Sequence, residues 1–316
     1  MATDQAAGGP PRIVSVGALV VDLTFWAARR PGPGETLLGT RFEEFLGGKG
    51  FNQAIAAARL GADVTMVGAV GQDGYGDRFL AALAADHVAT DAIARVAQGT
   101  GVGQPLVTDD GEVAIVGIPR ANGHVSAATV AAAAQAIADA DALLVQCEVP
   151  IEASVHAARL ARAAGARVVV NPAPAGPEGI ALADLADLLI VNEVEAGMLL
   201  GSTSGDAEAA AKAVHERFGC PVVVTLGARG ALYHDGTTAS VDAHRVTTVD
   251  PTGAGDAFVA GFTVATLQGR APDQALRFAN AVGACAVQVA GAEPSMPALE
   301  QVEELLLAAG AARPGA

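Results

Sequence analysis

The chain has 316 residues and a net charge of −15 at pH 7, with 19 basic and 34 acidic side chains. This length allows one large domain or two small ones, and the acidic balance argues against a nucleic-acid partner, which needs a basic surface. No apolar run reaches the roughly 18–20 residues that a membrane span requires. The three cysteines lie far apart, which favours a reducing, cytoplasmic compartment over a disulfide framework. Residues 1–11 are expected to be a disordered lead-in.

Short apolar runs alternate with alanine-rich amphipathic stretches from Ile13 onward. Runs that are almost continuously apolar are typical of strands buried on both faces of a parallel sheet. The predicted strands are Ile13–Leu19, Val64–Val70, Leu143–Gln146, Val168–Asn171, Leu188–Val191 and Val222–Leu226. The predicted helices are Phe51–Leu60, Gly76–Ala85, Ala127–Ala138, Glu152–Ala164, Glu193–Leu200, Ala207–Phe218, Ala254–Leu267, Pro272–Val289 and Ala298–Ala309. This order predicts a layered α/β fold with right-handed crossovers, in a single domain over residues 12–311.

Two segments without helix periodicity interrupt the alternation, at about residues 20–45 and 100–120. The second has two apolar runs around Asp109-Asp110-Gly111, a sequence typical of a hairpin turn. We expect the two segments to form one small antiparallel sheet, which we call the lid. Its apolar face would be exposed unless it covers a site or meets a partner, and this face contains Phe25, Trp26, Leu37, Val113 and Ile115.

The segment Asp250–Phe258 carries the strongest chemical signal. It follows a strand-like run, His244–Val249, and opens a long apolar helix. Free amides at the start of that helix, backed by the helix dipole, favour a bound phosphate, and small residues let it approach closely: Gly253, Ala254 and Gly255. Asp256 beside such a phosphate can accept a proton from an attacking hydroxyl. The alternative is an aspartate that only favours the helix start and glycines that only turn the chain.

Further polar positions follow a predicted strand or begin a predicted helix. Each has an ordinary alternative, such as a turn or a helix-favouring acid. Together they collect at one edge of the sheet, where open α/β folds bind their ligands. They are Asp22, the segment Gly47–Gln53 with Gly48, Lys49 and Asn52, then Glu148, Asn192 with Glu195, and Thr225–Gly230 with Gly227.

Competing motifs are absent from the sequence. There is no GxxxxGK[ST] segment, and no GxGxxG follows the first predicted strand, which argues against a P-loop enzyme and against a nicotinamide-dependent dehydrogenase. The six histidines form no HExxH or comparable pair, so no zinc site is predicted.

The chain closely resembles the PfkB carbohydrate kinases, and within them the ribokinases, from about Arg12 to Ala309. The resemblance rests on two segments, Gly47–Gln53 and Asp250–Phe258. Supporting matches are the pair Asn192 and Glu195, the Thr225–Gly230 turn and the tail Gly291–Ser295. It implies a ribokinase-like three-layer α/β/α sandwich with a small β-sheet lid, and ATP-dependent phosphorylation of a sugar hydroxyl.

The resemblance also implies roles for individual residues. Asp256 resembles the catalytic base, and Gly253, Ala254 and Gly255 resemble the anion hole. The implied sugar contacts are Asp22, Gly48, Lys49, Asn52, Glu148 and Asp256. Nucleotide contacts are implied for Asn192, Thr225, Gly227, Gly230, Gly255 and Asn280, while Glu195 resembles the residue that organises magnesium and phosphate.

Two more expectations follow from the resemblance. Ribokinases use a monovalent cation, usually potassium, beside the anion hole, and the matching positions here are Asp250, Thr252, Ala286, Val289, Gly291 and Ser295. The lid of this family covers the sugar and often forms a dimer interface, so a homodimer through the lid is expected.

One position departs from the ribokinase pattern. Ribokinases usually carry an asparagine two residues before the aspartate that matches Asp22, and this chain has Val20. Arg120 is a second unusual residue, which could reach a carboxylate or phosphate on an acidic sugar or could simply be solvated. Ribose is the first candidate substrate because of the resemblance. Because of these two positions, a ketose, a sugar acid such as 2-keto-3-deoxygluconate, or a nucleoside remains open. A non-catalytic sugar-sensing protein with the same fold is the alternative of a different class.

Overall fold

The computed structural model describes residues 9–202 and 205–311, so most of the predicted lead-in, residues 1–8, lies outside the described residues. The strands in this part are β1 (Arg12–Val16), β2 (Val20–Ala27), β3 (Arg41–Gly47), β4 (Asp63–Gly71), β5 (Ile93–Val96), β6 (Gly101–Thr108), β7 (Val113–Ile118), β8 (Ala142–Val145), β9 (Arg167–Val170), β10 (Leu188–Asn192), β11 (Val222–Thr225), β12 (Ala231–His234) and β13 (Thr238–Val241).

The α-helices are α1 (Lys49–Arg59), α2 (Gly74–Ala85), α3 (Ala127–Ala132), α4 (Ala134–Asp139), α5 (Ile151–Ala164), α6 (Glu178–Ala183), α7 (Glu193–Leu200), α8 (Ala207–Phe218), α9 (Ala254–Leu267), α10 (Pro272–Ala286) and α11 (Leu299–Ala311). Short 3₁₀ turns lie at Arg120–His124, Gly227–Arg229 and Glu293–Ser295. No helix among the described residues is long and apolar enough to span a bilayer.

Nine strands form the main sheet, in the order β13-β12-β11-β10-β9-β8-β1-β4-β5. The pairs from β5 to β11 are parallel, and the two pairs that β12 makes are antiparallel. The strands β8, β10 and β11 are almost wholly buried, because helices cover both faces of the sheet. Their carboxyl ends therefore lie along one edge.

The core lies in two layers, one on each face of the sheet. One layer contains Phe51 of α1, Phe79 of α2, Phe262 of α9 and Phe278 of α10. The other is rich in valine, leucine and alanine from α3 to α8. This arrangement confirms the predicted α/β/α sandwich, and the alanine-rich helix faces explain how the helices pack on the sheet with so few aromatic side chains.

Several predicted elements differ from the observed ones. The strand-like run His244–Val249 is not a strand: this segment is irregular, and the Val249 N–H donates to Val287 O at 2.7 Å. The predicted helix Ala127–Ala138 is two helices, α3 and α4, which meet at Ala133. Four short elements escaped prediction because their runs of four to six residues carry little periodicity: β5, β12, β13 and α6.

The lid is a four-stranded sheet with the order β3-β2-β6-β7. Its outer pairs are antiparallel, but the central pair, β2 and β6, is parallel, so the expectation of an antiparallel lid is wrong for that pair. The strands β2 and β6 belong to separate segments of the chain, and no hairpin turn forces them to run in opposite directions. The predicted hairpin at residues 109–111 is present between β6 and β7.

Candidate active site

Asp256 lies in the first turn of α9, at the edge where the strands of the main sheet end. Its side chain is buried, with 6% of its surface exposed. Asn52 Nδ2 donates to Asp256 Oδ2 at 2.9 Å, and Gln53 Nε2 donates to Asp256 Oδ1 at 3.0 Å. The two segments singled out in the sequence, more than 190 residues apart, therefore meet at this carboxylate.

The start of α9 presents amide groups that the fold leaves free. Gly253 has the left-handed φ of 78°, which strains other residues, and a Cβ there would lie 3.3 Å from the backbone Cα of Ala292, so the position favours glycine. Within the described residues, the N–H groups of Gly255 and Asp256 have no hydrogen-bond acceptor. The Ala254 N–H differs from expectation, because it donates to Pro251 O at 3.2 Å. The Gly253 N–H likewise has no acceptor among these residues, so of the three predicted amides only that of Ala254 is occupied, and the Asp256 N–H is a further free donor.

A cavity of about 240 Å³ opens beside this helix start. Carboxylates, amides and one ammonium group share its wall with backbone of the α9 turn, whose helix start suits an anion. The lining residues that had been singled out in the sequence are Lys49, Asn192, Glu195, Thr225, Gly253, Gly255 and Asp256.

Lys49 begins α1 and adds the positive charge. Gly48 before it has a φ of 95°, and a Cβ there would lie 2.6 Å from Ala18 O, so this tight entry into the helix requires glycine. The charge of Asp256, followed by those of Glu148 and Glu195, raises the pKa of the Lys49 ammonium group against the opposing effect of burial. The ammonium group therefore stays protonated beside the carboxylates.

Glu148 follows β8 and reaches the same helix start. Its Oε2 accepts the Lys49 backbone N–H at 2.7 Å. Burial raises the pKa of Glu148 to about 7, and the charge of Lys49 partly opposes that shift. Near neutral pH this carboxyl group can thus lose or gain a proton as a ligand arrives.

Asp22 lies in lid strand β2, rather than just past the end of the first strand as the sequence suggested. A Cβ at Gly47 would lie 2.8 Å from Asp22 Oδ2, and a Cβ at Gly103 would lie 2.6 Å from Oδ1. The two glycines on neighbouring strands therefore leave just enough room for the carboxylate. Burial, with a smaller contribution from the charge of Asp250, raises the pKa of Asp22 to about 6.

Asn192 and Glu195 both stabilise the start of a helix and line the cavity. Asn192 Oδ1 accepts the Glu195 N–H at 2.8 Å, and Glu195 Oε2 accepts the Asn192 N–H at 2.9 Å, which makes a capping box at the start of α7. Both residues also line the cavity. Burial raises the pKa of Glu195, with the Asn192 N–H opposing it.

Thr225 is the last residue of β11, and Gly227 and Gly230 lie in the turn that follows it. Gly227 and Gly230 have φ of 59° and 95°, and a Cβ on Gly230 would lie 2.1 Å from Val241 O. Asn280 of α10 is not in the wall of the Asp256 cavity, and its Nδ2 donates to the carbonyl oxygens of Val241 and Asp242 at 3.0 and 3.3 Å. Asn280 therefore holds the segment that packs against the Gly230 turn.

The six predicted cation positions lie on adjoining segments. Asp250 Oδ2 accepts the Gly291 N–H at 2.8 Å, and Asp250 Oδ1 accepts the Thr252 N–H at 2.9 Å. These bonds tie the segment before α9 to residues 286–295, which hold Ala286, Val289, Gly291 and the buried Ser295. No group of three or more His, Cys, Asp or Glu side chains that could hold a metal occurs in the described part of the chain. A cation here would need backbone oxygens besides Asp250.

Three buried amide side chains next to the site were not predicted as site residues: Gln53, Gln146 and Asn171. Gln53 was part of a recognised segment, but Gln146 and Asn171 are single polar residues at strand ends, without a motif to mark them. Arg120, in contrast, lies at the base of the lid, where its Nη1 donates to Thr100 O at 3.1 Å. Nothing in its contacts brings it to the cavity.

Comparison with known proteins identifies the family. The profile of the pfkB family carbohydrate kinases matches residues 10–299. The chain therefore belongs to the pfkB family, and it is a carbohydrate kinase that uses ATP to phosphorylate an alcohol group of a carbohydrate.

Individual relatives narrow the resemblance. The ribokinase of Haemophilus influenzae is 38% identical over 279 residues, which span 87% of this chain and 91% of the relative. The deoxyribokinase of Salmonella typhi is 32% identical over 300 residues, which span 93% and 98%. A ribokinase of Arabidopsis thaliana, solved with ribose and ATP, superposes with a TM-score of 0.85 at 30% identity, over 95% of this chain and 99% of that one. The fold is thus ribokinase-like.

Proposed function

We propose that the protein phosphorylates ribose, with Asp256 as the general base, to give ribose 5-phosphate. The observation that carries this proposal is the position of Asp256: it is held by two amides beside free helix-start N–H groups, in the wall of a polar cavity. The ribokinase relatives, one of them solved with ribose and ATP, support the choice of sugar.

The sugar side is formed by Asp22, Gly48, Lys49, Asn52 and Glu148. Their carboxylates can accept sugar hydroxyls, and Asn52 Oδ1 is buried with no hydrogen-bond partner among the described residues. An unpaired buried acceptor is costly, and a sugar hydroxyl would satisfy it. Asp22 on lid strand β2 and Lys49 at the start of α1 would contact the sugar from the lid and from the main body, and glycines leave room beside both residues.

The phosphoryl group transfers at the start of α9. Each oxygen of Asp256 accepts one hydrogen bond from an amide and keeps a second acceptor position free. One of the two oxygens takes the proton of the sugar hydroxyl. The Gly255 and Asp256 amides and the Lys49 ammonium group stabilise the charge that develops on the phosphoryl oxygens. An aspartate is a weak base toward an alcohol, but a loose transition state releases the proton late.

The nucleotide side is formed by the neighbouring strand ends and turns. Asn192 and Thr225 line the cavity, Gly227 and Gly230 shape the turn beyond β11, and Asn280 holds the segment against it. Glu195 has a carboxylate at the cavity wall that fits a magnesium ion brought by ATP, because Mg²⁺ is usually held by one or two carboxylates and the substrate phosphates. When bound, the ion neutralises phosphate charge.

A monovalent cation, potassium in the first instance, fits the segments around Asp250. The Asp250 carboxylate would supply oxygen ligands together with backbone carbonyl groups of these segments, and Asp250 already joins the two segments. Thr252, Ala286, Val289, Gly291 and Ser295 would take part mainly through the backbone. A cation there would fix the turn from which α9 begins.

Val20 bears on the choice between sugars. It lies on lid strand β2, paired with Gly47 and Gly101, at the position where ribokinases usually have an asparagine. An apolar side chain makes no hydrogen bond that a missing hydroxyl would break, so discrimination against a deoxy sugar should be weak. The relatives include both ribokinases and deoxyribokinases.

A substrate panel with ADP release as readout tests the sugar. We expect ribose to give the highest kcat/KM, 2-deoxyribose to lie within about 10²-fold of it, and fructose, 2-keto-3-deoxygluconate and adenosine to react far less.

Potassium in place of an organic cation should raise turnover. The variant Val20→Asn should lower the KM for ribose by about tenfold. A preference for the nucleoside, ketose or sugar acid would reject ribose as the substrate.

The lid offers a surface for a homodimer, which we propose as the state of the active protein. The two edge strands of the lid, β3 and β7, leave large apolar side chains exposed to water, which a partner could cover: Phe42, Val113, Ile115, Val116 and Ile118. The double variant Ile115→Glu with Val116→Lys should shift the protein from dimer to monomer in sedimentation equilibrium. A wild-type monomer at micromolar concentration would contradict the proposal.

A further inference from the structure

A chain of buried amide side chains lies beneath the catalytic carboxylate. Gln53 and Gln146 have no exposed surface, and Asn171 has 8%. They come from three elements, since Gln53 lies on α1 and the other two follow β8 and β9. Burying three amides is costly unless each is hydrogen-bonded, and apolar side chains would serve a core equally well. The position of these amides next to Asp256 suggests a role beyond packing.

Gln53 is held in one orientation by all of its hydrogen bonds. Its Nε2 donates to Asp256 Oδ1 at 3.0 Å and to Asn171 Oδ1 at 3.4 Å. Its Oε1 accepts from Gln146 Nε2 at 2.6 Å. Because an ionised carboxylate only accepts, a flipped Gln53 amide would place an oxygen against the Asp256 oxygen and lose all three bonds.

Gln146 supports that orientation at a cost to its own hydrogen bonding. Its Nε2 serves Gln53 Oε1, while its Oε1 is buried without a partner among the described residues. An unsatisfied buried oxygen destabilises the folded state. A residue that lowers stability while it orients a catalytic group is a recognised trade between stability and activity.

The chain of amides also reaches the second carboxylate of the cavity. Asn171 Nδ2 donates to Glu195 Oε2 at 3.4 Å and to Ile190 O at 3.0 Å. Gln53 therefore stands between Asp256, on the sugar side, and the residue that we assign to magnesium. Its second donor only holds Gln53 in place through Asn171, and its one bond to a cavity carboxylate is the bond to Asp256.

We propose that Gln53 is a positioning residue for Asp256, and that Gln146 fixes the orientation of Gln53. This inference rests on the proposed role of Asp256 as the base. Asn52 holds the other carboxylate oxygen, so the two amides together set both the place and the rotation of the group. Correct aim matters because a misplacement of about 1 Å in a reacting group can cost on the order of 10²-fold in rate.

The variant Gln53→Met, which keeps the volume and removes the amide, tests the proposal. We expect kcat to fall by about 10- to 100-fold, with the KM values for ribose and ATP within about threefold of wild type. In the Asp256→Asn background the same change should lower kcat no further, because Gln53 acts only through Asp256. A residue needed only for packing would give the same loss in both backgrounds.

Two further variants separate a loss of stability from a loss of positioning. Thr263→Val removes another fully buried hydrogen bond, from Thr263 Oγ1 to Val259 O on the same helix as Asp256, and should lower the Tm with kcat unchanged. Gln146→Met should lower kcat by a smaller factor than Gln53→Met, without lowering the Tm, because it also removes the unpaired oxygen. It carries the test if Gln53→Met does not fold.

The results separate this inference from the proposed function. Wild-type kcat in both Gln53→Met and Gln146→Met, or equal losses in the two backgrounds, would overturn the positioning role alone. Near-normal activity of Asp256→Asn itself would overturn the proposed base instead.

Discussion

Replacing Asp256 by asparagine is expected to lower the kcat for sugar phosphorylation by about 10²- to 10⁴-fold, the range for a lost general base. The change keeps the shape of the side chain but removes its ability to accept the hydroxyl proton. It also places an NH₂ group opposite Asn52 or Gln53, which both donate to the carboxylate in the wild type. Steady-state ADP release at saturating ribose and ATP measures the effect.

Asp273→Asn is the matched control, because Asp273 lies in the first turn of α10 but is exposed. It should leave kcat unchanged. If Asp256→Asn keeps near-normal turnover while it remains folded, Asp256 is not the base.

Gly255→Val is expected to abolish most activity while the fold is preserved. A Cβ at Gly255 would meet no atom within 4 Å, and the residue lines the cavity, so a valine side chain would enter the space of the phosphate. We expect kcat/KM for ATP to fall by at least about 10²-fold, comparable to the loss of an anion-hole donor. The Tm should stay level or rise slightly, since glycine is the poorer helix former.

Gly74→Val provides the comparison for Gly255→Val. Gly74 also begins a helix, is exposed and has open space around its Cβ position, but it lies outside the cavity. That variant should keep wild-type kinetics. Full ATP turnover by Gly255→Val would show that the phosphate does not lie at the start of α9.

The sequence predicted the parts of the site that are local to one segment. Glycines before a helix and an aspartate in its first turn form a local pattern that favours an anion site, so the segment from Gly253 to Asp256 could be singled out without coordinates. The same holds for the buried strands, whose continuous apolar runs predicted the central sheet.

The parts that depend on contacts between segments could not be read in this way. The bond from Asn52 to Asp256 joins residues 204 positions apart, so the sequence suggested a sugar contact and not a bond to the base. Gln146 follows an apolar strand with no motif around it, and its value lies wholly in its bond to Gln53. Which amide at the start of α9 is free depends on the turn at Pro251, which occupies the N–H of Ala254.

The most direct test of the site is a crystal structure of the wild-type protein with ADP, ribose and aluminium fluoride, a planar mimic of the phosphoryl group in transfer. We expect the mimic to accept hydrogen bonds from the Gly255 and Asp256 amides, with a carboxylate oxygen of Asp256 within hydrogen-bond distance of a ribose hydroxyl. A mimic bound away from α9, or an Asp256 carboxylate that faces away from the sugar, would contradict the mechanism.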